Sequence, residues 1–162
     1  MPTPSRLGYA RRMAIRMDHV SIVVEDLEAG IAFFTELGME IEGRMPIEGP
    51  WVDRINGIDG IRLEIAMMRA PDGQGRVELT KFDNPAATTA EPNAPPNTFG
   101  LRSVMFAVDD IRDTIARLEP HGGQVMGEVV RYEDIYLLAY LRGPQGIIVA
   151  LAEPLSEQAR VR

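Results

Sequence analysis

Residues 17–26 read MDHVSIVVED and residues 101–110 read LRSVMFAVDD. Each is an alternating apolar run closed by two acids, and the second acid, Asp26 or Asp110, stands where a helix N-cap belongs. Sliding the chain against itself by 84 residues aligns 17–43 with 101–127 without a gap. Seven of the 27 pairs are identical, among them Val20/Val104, Val24/Val108, Ile31/Ile115 and Gly38/Gly122. Internal duplication is the economical explanation. Apolar residues at helical spacing follow in both copies, Leu27, Ile31 and Phe34 in one and Ile111, Ile115 and Leu118 in the other, before Gly38 or Gly122 ends the helix.

Three strand-like runs come next in each copy: MEIEGRM, GIRLEIAMM and RVELTKF in the first, GQVMGEVV, DIYLLAYLR and GIIVALAE in the second. The predicted fold class is α+β, with one βαβββ module over 17–82 and another over 100–154 packed as a single domain. Residues 83–99 carry four prolines and no periodicity, the composition of an extended linker. Residues 1–16 read as an N-terminal arm and 155–162 as a tail.

Composition narrows the partners. The 162 residues hold 24 acids against 17 bases, a net charge of -7, with no basic run to track a phosphate backbone, so neither nucleic acid nor an anionic membrane is expected. The apolar stretches are far shorter than the ~20 residues that span a bilayer. The absence of cysteine from the sequence removes disulfides and thiolate chemistry, and is compatible with the cytoplasm, the expected compartment. Any metal must use nitrogen and oxygen donors.

Strand alternation sorts the runs into rows. Val20, Ile22, Val24 and Val104, Phe106, Val108 should lie under the helices, as should Val77, Leu79 and Val149, Leu151. The opposite rows carry His19, Ser21 and Val23; Glu78 and Thr80; Ser103, Met105 and Ala107; Ala150 and Ala152. His19 and Glu78 are thereby expected to face one cleft, with Ser103 and Ala150 at the duplicate positions. Arg102 points by parity to the other row, and His121 falls at a helix end, a structural position.

DHVSIVVEDLEAGIAFFTELG, VMFAVDDI and RGPQGIIVALAE together resemble the vicinal oxygen chelate superfamily of glyoxalases, bleomycin-resistance proteins and extradiol dioxygenases, over residues 17 to 153. The resemblance implies two βαβββ modules pairing into an eight-stranded incomplete barrel around a cleft, often in a homodimer. It also implies four metal-ligand positions, here His19, Glu78, Ser103 and Ala150. Two are good donors for zinc, nickel, manganese or iron, serine is a poor one and alanine is none, so the set is incomplete unless Glu64, Glu133 or Asp134 substitutes.

Two functions from different classes follow. One is a binding protein that holds a planar or amphipathic small molecule in the cleft, with Trp51, Arg54, Ser103, Met105 and Tyr140 as candidate contacts and Met67, Met68, Met126 and Tyr136 as adaptable lining. The other is an enzyme centred on His19 and Glu78, either a metal-assisted glyoxalase-like lyase or isomerase, a dioxygenase, or a metal-free acid–base catalyst. A scaffold that uses the fold only for contacts with another protein is a third reading.

Overall fold

The computed structural model describes residues 17–160. The N-terminal arm at 1–16 and the last two residues of the tail lie outside them.

The first copy forms β1 (Val20–Val23), α1 (Leu27–Leu37), β2 (Glu40–Glu48), α2 (Pro50–Asn56), β3 (Arg62–Arg69) and β4 (Arg76–Asn84). The second forms β5 (Ser103–Ala107), α3 (Ile111–Leu118), β6 (Gln124–Val125), β7 (Val130–Tyr132), β8 (Tyr136–Arg142) and β9 (Ile148–Pro154), followed by α4 (Glu157–Arg160). Asp26 and Asp110 cap the two long helices as the sequence predicts, accepting from the backbone N–H of Ala29 at 3.0 Å and of Asp113 at 2.9 Å. Gly38 ends α1 in the left-handed conformation, and Gly122 does the same after a 3-10 turn at Glu119–His121.

Two separate sheets result, ordered β1-β4-β3-β2 and β5-β9-β8-β6, with β7 also pairing β8. The duplication is visible in register: Val20 lies beside Val77 in the first parallel pair, and Val104 beside Val149 in the second. No closed barrel forms, and the two sheets share no ladder among the described residues. The run GQVMGEVV, expected as one strand, is broken into β6 and β7 around Gly127, so the strands number nine among the described residues.

The first helix joins the modules. Gly30 lets α1 settle on its own sheet, against Leu79 and Val24. Its fully buried Phe33 and Phe34 reach the other module, where the Phe106 ring centroid is 6.4 Å from that of Phe34 and Gly143 abuts Phe33. One core therefore includes Met68 and Leu79 from the first sheet and Leu141, Val149 and Leu151 from the second. The helix-bearing sides of both sheets are consumed in this core, and the two opposite sides remain open.

Candidate functional site

Register places the first open face. Ser21 lies beside Glu78, Met67 pairs with Glu78, and Ile65 pairs with Thr80, so these side chains share one side with His19. Glu78 Oε1 accepts from Ser21 Oγ and from Thr80 Oγ1, both at 3.1 Å, which leaves Oε2 turned toward His19. His19 Nε2 stands 3.7 Å from that oxygen, while its Nδ1 lies 2.7 Å from Asp18 Oδ2. Asp18 also meets Arg76, whose Nε donates to Glu42 at 2.9 Å. The 3.7 Å separation exceeds hydrogen-bond length. His19 and Glu78 thus flank a gap and do not close on each other, and the side chains are 32% and 20% exposed.

Within EGPWVDRING, which carries Trp51 and Arg54, Pro50–Asn56 form α2. Pro50 suits its first turn and Gly57 its left-handed end. Val52 packs into a small core with Ile61 and Leu63 on this same open face, backed by Ile47, Ile65 and Phe82. Trp51 and Arg54 ride on α2 and are exposed, away from the buried Val52 side.

The second open face carries Ser103, Met105 and Tyr140. Tyr140 pairs with Ala150 and Ala150 with Met105, so the alanine at the duplicate of Glu78 lies between two large side chains and is fully buried. Met105 is 55% exposed and Tyr140 44% exposed. With Met126, Val130, Leu138 and linker Pro96 they bound an open, largely apolar groove of about 420 Å3.

The structure brings His19 and Glu78 onto one face and Ser103 and Ala150 onto the other sheet. Glu64 belongs to the helix-bearing side, where it pairs with Lys81 in register and its carboxylate meets Arg44, so it does not complete a donor set with His19. Glu133 and Asp134 lie in the exposed turn between β7 and β8, Asp134 paired with Arg131. Met68 is core, and Tyr136 is half-buried with its hydroxyl donating to Ala159 O. His121 Nε2 lies 3.8 Å from Glu36 Oε1, at the end of the 3-10 turn.

A divalent ion of the kind the superfamily uses needs about three protein donors around one point. Among the described residues no group of three His, Asp or Glu converges in that way. Asp18 approaches the Nδ1 edge of His19 and Glu78 the Nε2 edge, on opposite sides of the ring. The described residues do not fit a metal. Sequence reading placed Thr80 in the same row as Glu78 but passed over Asp18 and Arg76 as site residues.

The family profile "Glyoxalase/Bleomycin resistance protein/Dioxygenase superfamily" matches residues 16–151. A glyoxalase family protein from Bacillus cereus, known as a crystal structure, is 46% identical and superposes with a TM-score of 0.86, covering 92% of this chain and 100% of its own. Glyoxalase I from Zea mays superposes at 0.61 with 21% identity, over 86% of this chain and 48% of that one, a likeness of fold alone. CFP32 of Mycobacterium bovis, provisionally named a glyoxylase, is 28% identical over 94% of this chain, which spans only 59% of that protein's length. YwbC of Bacillus subtilis, uncharacterized, is 26% identical over 83% of this chain and 94% of its own.

Proposed function

Because the chain belongs to the Glyoxalase/Bleomycin resistance protein/Dioxygenase superfamily, we propose that it binds a small organic molecule on the open faces of its sheets, chiefly in the groove between Met105 and Tyr140. The carrying observation is that groove: about 420 Å3, largely apolar with Glu128 on its rim, and lined by the exposed apolar side chains of Met105, Val130 and Tyr140. Methionines 105 and 126 supply adaptable contacts, and the Tyr140 ring a flat one. The partner is a homodimer. The first open face exposes Val23 and Met45 and the second Met105, Val130 and Tyr132, apolar area that a second copy would cover. A reducing compartment such as the cytoplasm is compatible with the cysteine-free composition.

Two measurements test this reading. A ligand-observed NMR screen of planar and amphipathic compounds should yield binders that Met105→Glu abolishes while its circular dichroism spectrum is unchanged. Sedimentation should give a dimer that the same charge weakens. A screen with no binder, or binders indifferent to Met105→Glu, would sink the groove as the site.

A second reading is favoured by the Asp18, His19, Glu78 arrangement, which suits metal-free proton transfer. Asp18 accepts at Nδ1 and so orients the ring, Ser21 and Thr80 hold one oxygen of Glu78, and the 3.7 Å gap between Nε2 and Oε2 admits a substrate atom. In that reading Glu78 takes a proton from a carbon acid, a His19 carrying protons on both nitrogens returns one through Nε2, and the proton on Glu78 then passes to Nε2 to restore both groups. His19→Ala and Glu78→Gln would each then lower turnover about 10²–10⁴-fold on a substrate found by screening; full turnover in both variants would eliminate it.

A further inference from the structure

The linker between the modules is held by two arginines. Arg142, at the end of β8, donates through Nη1 to Pro92 O and through Nη2 to Ala94 O, both at 2.9 Å. Arg102, just before β5, donates through Nη2 to the same Ala94 O at 3.2 Å. Two guanidinium groups thus converge on one neutral oxygen. No carboxylate of the described residues pairs with either; Arg44, Arg69, Arg76, Arg117 and Arg131 each have an acidic partner, while exposed Arg54, Arg62 and Arg112 have none among the described residues. Arg102 Nε is buried with no acceptor at all.

Like charges a few ångströms apart, half removed from water and met only by carbonyl dipoles, repel each other and leave donor capacity unused. Such a pair has the chemistry of an anion site, since a guanidinium fork matches a carboxylate. The pair also adjoins the groove. Arg142 follows Tyr140 by two residues on the same strand face, about 7 Å, and Pro96, which borders the groove, follows Ala94 by two residues. The linker carbonyls lie close over this end because Gly146 has no side chain; a Cβ there would be 2.3 Å from Pro92 O.

We infer that Arg102 and Arg142 recognise the carboxylate of an amphipathic organic acid whose apolar body fills the Met105–Tyr140 groove, the carboxylate displacing the Ala94 carbonyl from the two guanidinium groups. This rests on the groove being a ligand site and names the ligand's class. Arg102 is the specificity-determining residue, because its Nε is the donor left without a partner.

The test uses the full chain with naphthalene-2-carboxylate and its neutral carboxamide, titrated by NMR, in the wild type and in Arg102→Gln. The acid should bind at least about ten-fold more tightly than the amide, the worth of one charge-assisted contact. Arg102→Gln should lower the acid's affinity more than the amide's and so reduce that preference, with Arg142 keeping part of it. The acid alone should also raise the rate of proteolytic cleavage within residues 85–99. Equal binding of acid and amide by the wild type would overturn the inference and leave the groove intact as a binding site, whereas binding of neither would remove both. A preference undiminished in Arg102→Gln would likewise overturn it, and the acid–amide comparison in the wild type stands even if the variant folds poorly.

Discussion

Gly143, in the turn between β8 and β9, lies against the ring of Phe33 on the first module's helix, and a Cβ at Gly143 would come within 2.9 Å of Phe33 Cζ. The contact links the two halves of the duplication at a fully buried aromatic. It is one reason the helix-bearing sides of the sheets meet and the opposite sides stay open.

Gly143→Ala is therefore expected to destabilise the protein by about 1–3 kcal/mol through overpacking. Gly43→Ala, in β2, has nothing within 4 Å of the added carbon and serves as the control. Chemical denaturation should separate the two. Equal stability of both variants would show that the modules do not depend on this contact.

The helix caps should be unequal despite their duplication. Asp26 caps α1 through its own carboxylate, whereas α3 has a second acceptor, Glu153, which takes the Ile111 N–H at 2.8 Å. Asp26→Ala should cost about 1 kcal/mol, and Asp110→Ala measurably less. A larger loss at Asp110 in urea unfolding would contradict this.

Chelation should not affect the fold. With no group of three donors converging among the described residues, extensive EDTA treatment should leave the thermal midpoint unchanged. Protein incubated with zinc, nickel, manganese or iron(II) and desalted should retain far less than one ion per chain by elemental analysis. Stoichiometric metal lost in His19→Ala would overturn this donor count.

Arg44 bridges Glu28 and Glu64 across the helix-bearing side, and its hydrogen bond holds the Glu64 carboxyl below its ordinary value. A depressed folded-state value means that this contribution to stability is fully present above the unfolded value, about 4.3, and is lost as pH falls through the folded one. The group is solvent-exposed, so screening keeps the effect small and salt should reduce it. Carbon-detected NMR titration of the Glu64 side chain should show the low midpoint, and Arg44→Met should raise it to the ordinary range.

The residues themselves determined the modules. Alternation in 17–26 and 101–110, the aspartate caps and the glycine stops are local signals, and β1, α1, β5 and α3 follow them because strand period, capping and left-handed turns are decided within a few residues. The placing of His19 and Glu78 on one face was legible for the same reason, through parity and the repeat. What tertiary structure decided was how the halves meet. Nothing in the order of residues says that Phe33 and Phe34 would reach Gly143 and Phe106, and so turn the helix-bearing sides together. Nor does it say that Arg102, assigned by parity to the far row, would bend back from the strand end to the linker beside Arg142. Packing between segments distant in sequence depends on shape and volume across the whole core, which no window of the chain contains.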